Sequence, residues 1–171
     1  MSPVLIGLPR FRKPSFMKVH SLALGLLCSH WGCSSDPAAE AVQPDFPANY
    51  ASSYEEVRDC RRSGDHDLNY VRILTDPEGF AAYRDREDDF PEGSIVLKEE
   101  YDFADTECSG GIQKWTAMER LPKGSAPNTL DWAWQEVDAS RTVVGGEITG
   151  CVGCHRSCQG PNGFNGTCAD P

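Results

Sequence analysis

Ser94-Ile-Val-Leu-Lys-Glu-Glu-Tyr101, which directly follows the turn sequence Pro91-Glu92-Gly93, is the stretch that decides the fold class. A run of apolar and β-branched residues bounded by turn residues predicts a strand. Three more strand-like segments follow along the chain: Ile112–Met118, Leu130–Val137 and Arg141–Ile148. Several short strands separated by turns, with only short helices between them, predict an α+β fold that is mainly β and contains an antiparallel sheet.

Shorter elements are predicted upstream of this stretch. We expect a short helix over residues 50–59, a polar loop over residues 61–69 and a strand over residues 70–74. Asp76-Pro77-Glu78 predicts the start of a helix that runs to about Arg84, because Asp is a good cap and Pro is favoured in the first turn. Near the end of the last strand, Gly145-Gly146 predicts a bulge or a second turn.

Cys151-Val152-Gly153-Cys154-His155 carries the clearest chemical signal in the chain. This spacing is that of a c-type haem attachment site. Two thiols must reach two vinyl groups on one edge of the porphyrin, and the next residue must place an imidazole nitrogen under the iron. The motif therefore predicts one covalently attached haem c, with His155 as the iron ligand, in a C-terminal haem-attachment segment.

Zinc is the main alternative for these cysteines. Cys151, Cys154, Cys158 and Cys168 could close a tetrahedral site of four thiolates, with His155 as a further ligand. An exported protein would favour disulfides over thiolates, and zinc would leave the position of the histidine unexplained. A third alternative is that all of these cysteines form disulfides, and both alternatives describe a haem-free exported domain.

The remaining cysteines predict a disulfide frame. Of the eight cysteines, Cys28 and Cys33 belong to the N-terminal segment, and the haem motif uses two more. The other four allow three pairings. We favour Cys158 with Cys168, which is the local choice, and Cys60 with Cys108, but the sequence alone leaves the other pairings open.

Residues 1–33 are predicted to be an export signal. Lys18 precedes the apolar run Ser21–Leu27, which is far shorter than the roughly 20 residues of a membrane helix. Met17 is an alternative start. Cys33 lies in a sequence similar to a bacterial lipoprotein junction and is a candidate for lipidation, although His30 stands where such junctions usually have Leu. We therefore expect a periplasmic or exported protein, either lipid-anchored or freely secreted.

The rest of the chain divides into a linker and a domain. Residues 34–48 are rich in Ser, Pro, Ala and acidic residues and predict a flexible linker, and residues 49–171 form the predicted haem domain. The whole chain has 16 basic and 26 acidic residues, a formal charge of −10. An acidic body repels phosphate backbones, which argues against nucleic-acid binding.

Three segments together resemble the cytochrome P-460 family and the related cytochromes c′-beta. They are Pro91–Tyr101, then Asp131-Trp132-Ala133-Trp134, and then the Cys151–His155 motif near the C-terminus. The resemblance covers about residues 50–171 and implies a β-rich sheet with short helices. The additional disulfide cysteines depart from the best-known members of the family.

This resemblance implies specific roles for several residues. In the enzymes of the family a strand lysine forms a third bond to the porphyrin, and Lys98 matches that position. Such enzymes oxidise hydroxylamine, so a small nitrogen-containing substrate would bind opposite His155 and electrons would leave to an acceptor such as another cytochrome. Family members often pair, so a homodimer is a further expectation.

A pocket base would assist the oxidation of hydroxylamine, because protons must leave as electrons pass to iron. The acidic residues near the matched segments are Glu99, Glu100, Asp131 and Glu136, and Glu100 is preferred because it shares the strand face of Lys98. Trp132 and Trp134 also share one strand face. They are predicted to line the haem pocket, and ordinary core packing is an equal alternative.

The sixth iron position separates an enzyme from a non-catalytic protein. A Met or His in that position gives an electron-transfer centre, whereas an open position permits ligand chemistry. After the export segment only His66 and Met118 are conventional candidates, and we expect a solvated loop residue and a core residue, respectively. The non-catalytic alternative is a mono-haem protein that transfers electrons or binds nitric oxide or carbon monoxide.

Overall fold

The computed structural model describes residues 41–64, 66, 69–146, 149–158 and 163–168. Its strands are β1 (Glu55–Arg62), β2 (Tyr70–Thr75), β3 (Ile95–Tyr101), β4 (Lys114–Arg120), β5 (Trp132–Asp138) and β6 (Val143–Gly146). Two α-helices, α1 (Pro77–Asp85) and α2 (Thr149–His155), and two 3-10 helices, Tyr50–Ser52 and Pro127–Thr129, complete the described elements. The predicted fold class is confirmed.

The six strands form one antiparallel sheet in the order β1-β2-β3-β4-β5-β6. Each strand therefore pairs with its neighbours in the sequence. The ladder is irregular at both edges: its register shifts twice between β1 and β2, and once between β5 and β6 near Gly145. The latter shift corresponds to the bulge that the two adjacent glycines predict.

Apolar residues cover both faces of the sheet. On one face, Leu97 of β3 packs in a cluster with Phe46 and Tyr50 from the segment before β1. On the other, Val96 packs in a cluster with Ala82 and Tyr83 of α1 and Val152 of α2. Neighbouring residues of β3 thus point to opposite faces, as the two-residue period of a strand requires. Both helices lie on the face that carries Val96.

Helix α1 begins and ends close to the predicted positions. The Asp76 side chain accepts a hydrogen bond from the Gly79 amide at 3.0 Å, and Pro77 occupies the first turn. Arg86 caps the helix in the left-handed conformation. The local signal in Asp76-Pro77-Glu78 is therefore sufficient to place this helix.

The segment before β2 differs from the prediction. Only Tyr50–Ser52 are helical, as a 3-10 turn, and residues 55–62 form β1 instead of the end of a helix and the start of a loop. The sequence of β1, EEVRDCRR, has no alternation of apolar residues, because an edge strand pairs on one side only and tolerates many charges. Pairing with β2, which local sequence does not report, decides its conformation.

The boundaries of the predicted segments also change. The predicted linker is described only from residue 41, and Phe46 is already buried, with its carbonyl oxygen bonded to Arg141. The packed domain therefore begins before residue 49. The predicted export signal, with Met17 and Cys33, lies outside the described residues. Within the described ranges no helix is both long and apolar enough to cross a membrane.

Candidate functional site

Helix α2 places two thiols and an imidazole at the edge of one cavity. Cys151 and Cys154 are the free cysteines among the described residues, and their spacing of three puts them on the same side of the helix. Both line a cavity of about 650 Å³ together with His155. Burial raises the pKa of the Cys151 thiol, and the nearby Lys98 opposes this effect.

His155 is held from two sides. Its Nδ1 atom lies 2.5 Å from the Gly166 carbonyl oxygen, and its ring meets the Trp134 ring edge-on with centroids 4.7 Å apart. Because a carbonyl only accepts, Nδ1 carries the proton and Nε2 is the nitrogen available to a metal. Burial lowers the pKa of His155, against the opposing effect of the Gly166 hydrogen bond, so the ring is held neutral.

A short C-terminal segment holds the carbonyl that orients His155. A disulfide joins Cys158, at the end of the turn after α2, to Cys168. Gly166 lies between these cysteines with φ +83°, a conformation that favours glycine. Trp132, which is fully buried, donates from Nε1 to the Asn165 carbonyl oxygen at 2.7 Å. The segment is therefore fixed both to α2 and to β5.

The two tryptophans share a sheet face, as predicted, but they have different surroundings. Trp134 lines the cavity and contacts His155. Trp132 instead packs edge-on against Phe90 at 5.1 Å, beneath the Arg120 guanidinium. Trp134 is therefore a wall of the cavity, whereas Trp132 acts through the segment that it anchors. Both also belong to the core cluster on this face, so Trp134 has both expected roles, whereas Trp132 has only the core role and does not line the cavity.

Lys98 projects from the middle of the sheet into the same cavity. The register pairs Ile73 of β2 with Lys98, and Lys98 with Thr116 of β4, so these side chains share one face. The Lys98 side chain is only 15 % exposed. Its Nζ atom lies 2.8 Å from a Glu100 carboxylate oxygen and 2.9 Å from His66 Nδ1. Burial lowers the pKa of Lys98, and Glu100 opposes that effect.

Glu100 is the predicted base that the structure brings to this position. Its side chain is 2 % exposed and contacts Lys98, Lys114 at 3.7 Å and the Thr116 hydroxyl at 3.4 Å. Glu100 is not part of the cavity wall and reaches the cavity through Lys98 and His66.

The other acidic candidates lie at three different places, and only Glu136 shares the sheet face of Lys98, because both residues are register partners of Thr116. Glu99 points to the opposite face of the sheet, where it accepts hydrogen bonds from Tyr50, Tyr101 and Arg72. Asp131 accepts from the amides of a surface turn. Glu136 pairs with Lys114 at 3.6 Å.

His66 occupies a position that differs from the expected solvated loop. The residue lines the cavity, its side chain is 29 % exposed, and it contacts Lys98. Burial and the Lys98 charge lower the pKa of His66 to about 4, against the opposing charge of Glu100. His66 is therefore neutral near pH 7. Met118 is buried and lines the same cavity, which agrees with the expected core role.

Sequence reasoning overlooked a basic wall of the cavity. Arg58 and Arg61 of β1 and Tyr83 of α1 line it, and none of them belongs to a recognisable motif. The strand β1 was not predicted, so no pattern in its sequence could assign a face to its arginines.

The donor set and the cavity fit a haem better than a zinc ion. Two free thiols three residues apart and an imidazole with one nitrogen engaged surround a cavity whose volume lies within the roughly 300–1,000 Å³ of cofactor sites. The Cys158–Cys168 disulfide removes two of the four thiolates that a zinc site would need. Among the described residues no group of three or more His, Cys, Asp or Glu side chains is arranged to hold a metal ion.

The second disulfide joins Cys60 to Cys108, so the structure has the favoured pairing. It ties β1 to the loop between β3 and β4. Cys151 and Cys154 remain thiols, which leaves both of them available for attachment to a porphyrin.

Comparison with known proteins agrees with this assignment. The model of the cytochrome P460 family matches residues 47–162, which include β1–β6 and the whole of α2. No curated protein matches the chain. Because the family match covers most of the chain and includes the thiol and imidazole residues, the chain belongs to the cytochrome P460 family and is a haem protein.

Proposed function

We propose that this chain is an exported c-type haem protein that oxidises hydroxylamine or a related small nitrogen species. In this proposal Cys151 and Cys154 attach one haem covalently, His155 binds its iron, and Lys98 forms a third attachment. The observation that supports it is the convergence of these four side chains on one cavity. Lys98 comes from β3 and the other three from α2, so their meeting is a property of the fold.

The residues around the proposed attachment site suit their roles. His155 has its Nδ1 proton engaged by Gly166, which leaves Nε2 for the iron. The spacing of the two thiols on α2 matches the two vinyl groups of a porphyrin. Covalent attachment would also retain the cofactor in a small domain in which Trp134 is the tryptophan that lines the described cavity.

Proton handling is the contribution of the polar side chains beside Lys98. The haem, when bound, would supply an iron centre that takes electrons from the nitrogen substrate. Burial lowers the pKa of Lys98 and thereby favours the neutral amine, which is the form that can make a covalent bond. A bond from the Lys98 nitrogen to a porphyrin carbon replaces one N–H and one C–H bond, so two protons leave and two electrons pass to an added two-electron oxidant such as hydrogen peroxide. Glu100 at 2.8 Å and neutral His66 at 2.9 Å can accept these protons. His66 lines the cavity and can accept a proton from a substrate there, whereas Glu100 can take up a proton from the cavity only through Lys98 or His66.

An absorption spectrum and a peptide mass spectrum of protein made in a haem-maturing host test this proposal. We expect a red-shifted haem spectrum and a haem peptide that joins the Cys151–His155 segment to Lys98. Lys98→Arg should abolish that link, while Lys123→Arg, at an exposed lysine that pairs with Asp89, should leave it unchanged.

Turnover is measured as hydroxylamine-dependent reduction of an electron acceptor. If Glu100 is the base, Glu100→Gln should lower turnover by about 10²–10⁴-fold. Glu136→Gln is the matched control, because Glu136 also pairs with Lys114 but does not contact Lys98. Equal losses in both variants would remove Glu100 from this role. A colourless protein would refute the whole proposal.

A non-catalytic mono-haem protein is the second candidate. The observation that favours it is the ion pair between Lys98 and Glu100, since a carboxylate at 2.8 Å stabilises the protonated amine, which does not form a covalent bond. Such a protein would transfer electrons or bind nitric oxide or carbon monoxide. It would show an ordinary c-type spectrum, an unmodified Lys98 and no hydroxylamine turnover.

Export, the lipid anchor and the partners are part of the same proposal. Cleavage after the predicted signal would be seen as a mature N-terminus near Cys33, and labelling with a fatty acid would separate a lipid-anchored protein from a secreted one. An exported oxidase would pass its electrons to a cytochrome outside the cytoplasm. Sedimentation of the holoprotein would test the expected homodimer.

A further inference from the structure

Arg58 is a buried cation whose hydrogen-bond donors lack acceptors. The residue is 6 % exposed, and its Nε and Nη2 atoms have no hydrogen-bond partner among the described residues. It also lines the 650 Å³ cavity that Cys151, Cys154 and His155 border. Buried charges in proteins are nearly always paired, because an unpaired ion loses its hydration without compensation. An anion bound in the cavity beside Arg58 would therefore supply the missing charge and hydrogen-bond acceptors.

The register of the sheet fixes where this cation lies. Arg58 pairs with Ile73, and Ile73 pairs with Lys98, so Arg58 lies on the Lys98 face two strands away. Two strand spacings separate the backbones of Arg58 and Lys98 by roughly 10 Å. The irregular pairing on both sides of Arg58 sets its local backbone apart from a regular ladder. Arg58 therefore lies at the β1 edge of the sheet, on the face that borders the cavity.

Tyr83 supplies a second donor without a partner at the same place. Its side chain is 4 % exposed and lines the cavity, and its hydroxyl lies beside the Arg58 guanidinium but has no acceptor for its own proton among the described residues. Burial raises the pKa of Tyr83, whereas the hydrogen-bonding contact with Arg58 and the charges of Arg58, Arg86 and Arg61 oppose this effect. The Arg58 and Tyr83 donors therefore lie in a locally positive environment, although the whole chain has a formal charge of −10.

We propose that Arg58 and Tyr83 form a carboxylate-binding site and that its occupant is a propionate group of the haem. This inference rests on the proposed covalent attachment at α2. The porphyrin carries its two carboxylates away from the vinyl groups, so thiols on α2 and a guanidinium on β1 would together fix its orientation in the cavity. A guanidinium and a phenol provide the charge-assisted donors that a carboxylate accepts. Nitrite, a small oxyanion, offers the same acceptor chemistry and is the competing source.

Four variants of the holoprotein test the site. Arg58→Gln removes the charge, Arg58→Lys keeps it, and Tyr83→Phe removes only the hydroxyl. Arg84→Gln is the matched control, because Arg84 is an exposed arginine that pairs with Asp85 on α1. The readouts are the propionate bands in the resonance Raman spectrum and the pH dependence of the haem midpoint potential, neither of which requires turnover.

A propionate beside Arg58 should have its pKa held down by the guanidinium. Arg58→Gln should therefore raise the apparent propionate pKa by about 1–3 units and shift the propionate bands. Arg58→Lys should retain most of the wild-type behaviour, and Tyr83→Phe should give a smaller shift in the same direction. Arg84→Gln should change neither readout. If Arg58→Gln does not fold, Tyr83→Phe still decides the question, because a response identical to that of Arg84→Gln would contradict the site.

Titration with sodium nitrite separates the two sources of the anion. Saturable binding to the wild type that Arg58→Gln abolishes, with unchanged propionate bands, would assign the site to a free anion and overturn the propionate proposal. Bands and potentials that match the control in every variant, without nitrite binding, would overturn the site itself. Failure of hydroxylamine turnover would leave both readouts intact, whereas a protein without haem would remove both proposals, so a failed propionate site can be distinguished from a failed function.

Discussion

Loss of the Cys60–Cys108 disulfide should destabilise the fold more than loss of the Cys158–Cys168 disulfide, whereas loss of the Cys158–Cys168 disulfide should disturb the haem site more. The perturbation is replacement of each pair by alanine, Cys60→Ala with Cys108→Ala and Cys158→Ala with Cys168→Ala. Each bond joins one buried cysteine to a more accessible one, so the packing losses are similar. The difference between the variants therefore reports mainly on the length of the closed loop.

The loop lengths give the magnitudes. The sequence separations are 48 for Cys60–Cys108 and 10 for Cys158–Cys168. Loop-closure entropy in the unfolded chain then assigns about 4.1 kcal/mol to the longer loop and about 2.8 kcal/mol to the shorter one. Loss of the Cys60–Cys108 bond should therefore lower the free energy of unfolding by about 1.3 kcal/mol more than loss of the other.

The effect on the site should run the other way. The shorter loop contains Gly166, whose carbonyl accepts the His155 hydrogen bond. Loss of its disulfide should release that carbonyl and change the absorption spectrum of the bound haem. The Cys60–Cys108 bond ties β1 to the loop between β3 and β4 and does not fix His155.

Chemical denaturation followed by far-ultraviolet circular dichroism measures the stabilities, and the absorption spectrum reports on the site. If the Cys158–Cys168 variant keeps the wild-type spectrum, or loses more stability than the other variant, then the reasoning from loop length and from Gly166 is wrong.

Three further perturbations test single interactions. The folded-state pKa of His66 is about 4, below its usual 6.5, so between these pH values the unfolded state binds more protons, and wild-type stability should fall as pH decreases through this window. His66→Gln should lose less stability in this window when unfolding is followed by urea titration. Equal slopes of unfolding free energy against pH in the two proteins would contradict the assignment. Gly166→Ala should lower the free energy of unfolding by about 1–2 kcal/mol, because φ of Gly166 is +83° and the new Cβ would lie 3.0 Å from Leu130 Cδ1. A thermal midpoint and a haem spectrum identical to those of the wild type would argue against a fixed Gly166 carbonyl. Asp76→Ala should lower the free energy of unfolding by about 1 kcal/mol, because it removes the cap of α1, whereas Asp76→Asn should retain most of that stability. Equal losses in the two variants, measured by calorimetry, would contradict a capping role.

Local patterns predicted the parts of the fold that local forces determine. The Asp76-Pro77 pair fixes the start of α1, and the two-residue period of β3 correctly separates Glu99 from Glu100 onto opposite faces. The same period places Trp132 and Trp134 on one face. In each case the determining residues are neighbours in the sequence, so the sequence alone contains the information.

Long-range pairing determines what the patterns could not predict. Strand β1 has a charged sequence because it is an edge strand, and only its register with β2 shows that Arg58 faces the cavity. His66 lies in a polar segment whose sequence predicts exposure, yet it meets Lys98 across 32 positions of the chain. Such contacts depend on tertiary packing and leave no local signal.

The simple order of the sheet also bears on how the holoprotein is assembled. Every strand of the sheet pairs with its sequence neighbours, and α2 follows the last of them. Ladders of this kind close only short loops, so the sheet can form as the chain emerges, without waiting for its C-terminal end. The thiol-bearing helix follows the last described strand and packs on one face of the sheet. If the haem is attached covalently as proposed, an enzyme that joins porphyrin to protein would find its target still accessible on a partly folded chain, and closure of the Cys158–Cys168 disulfide would then complete maturation.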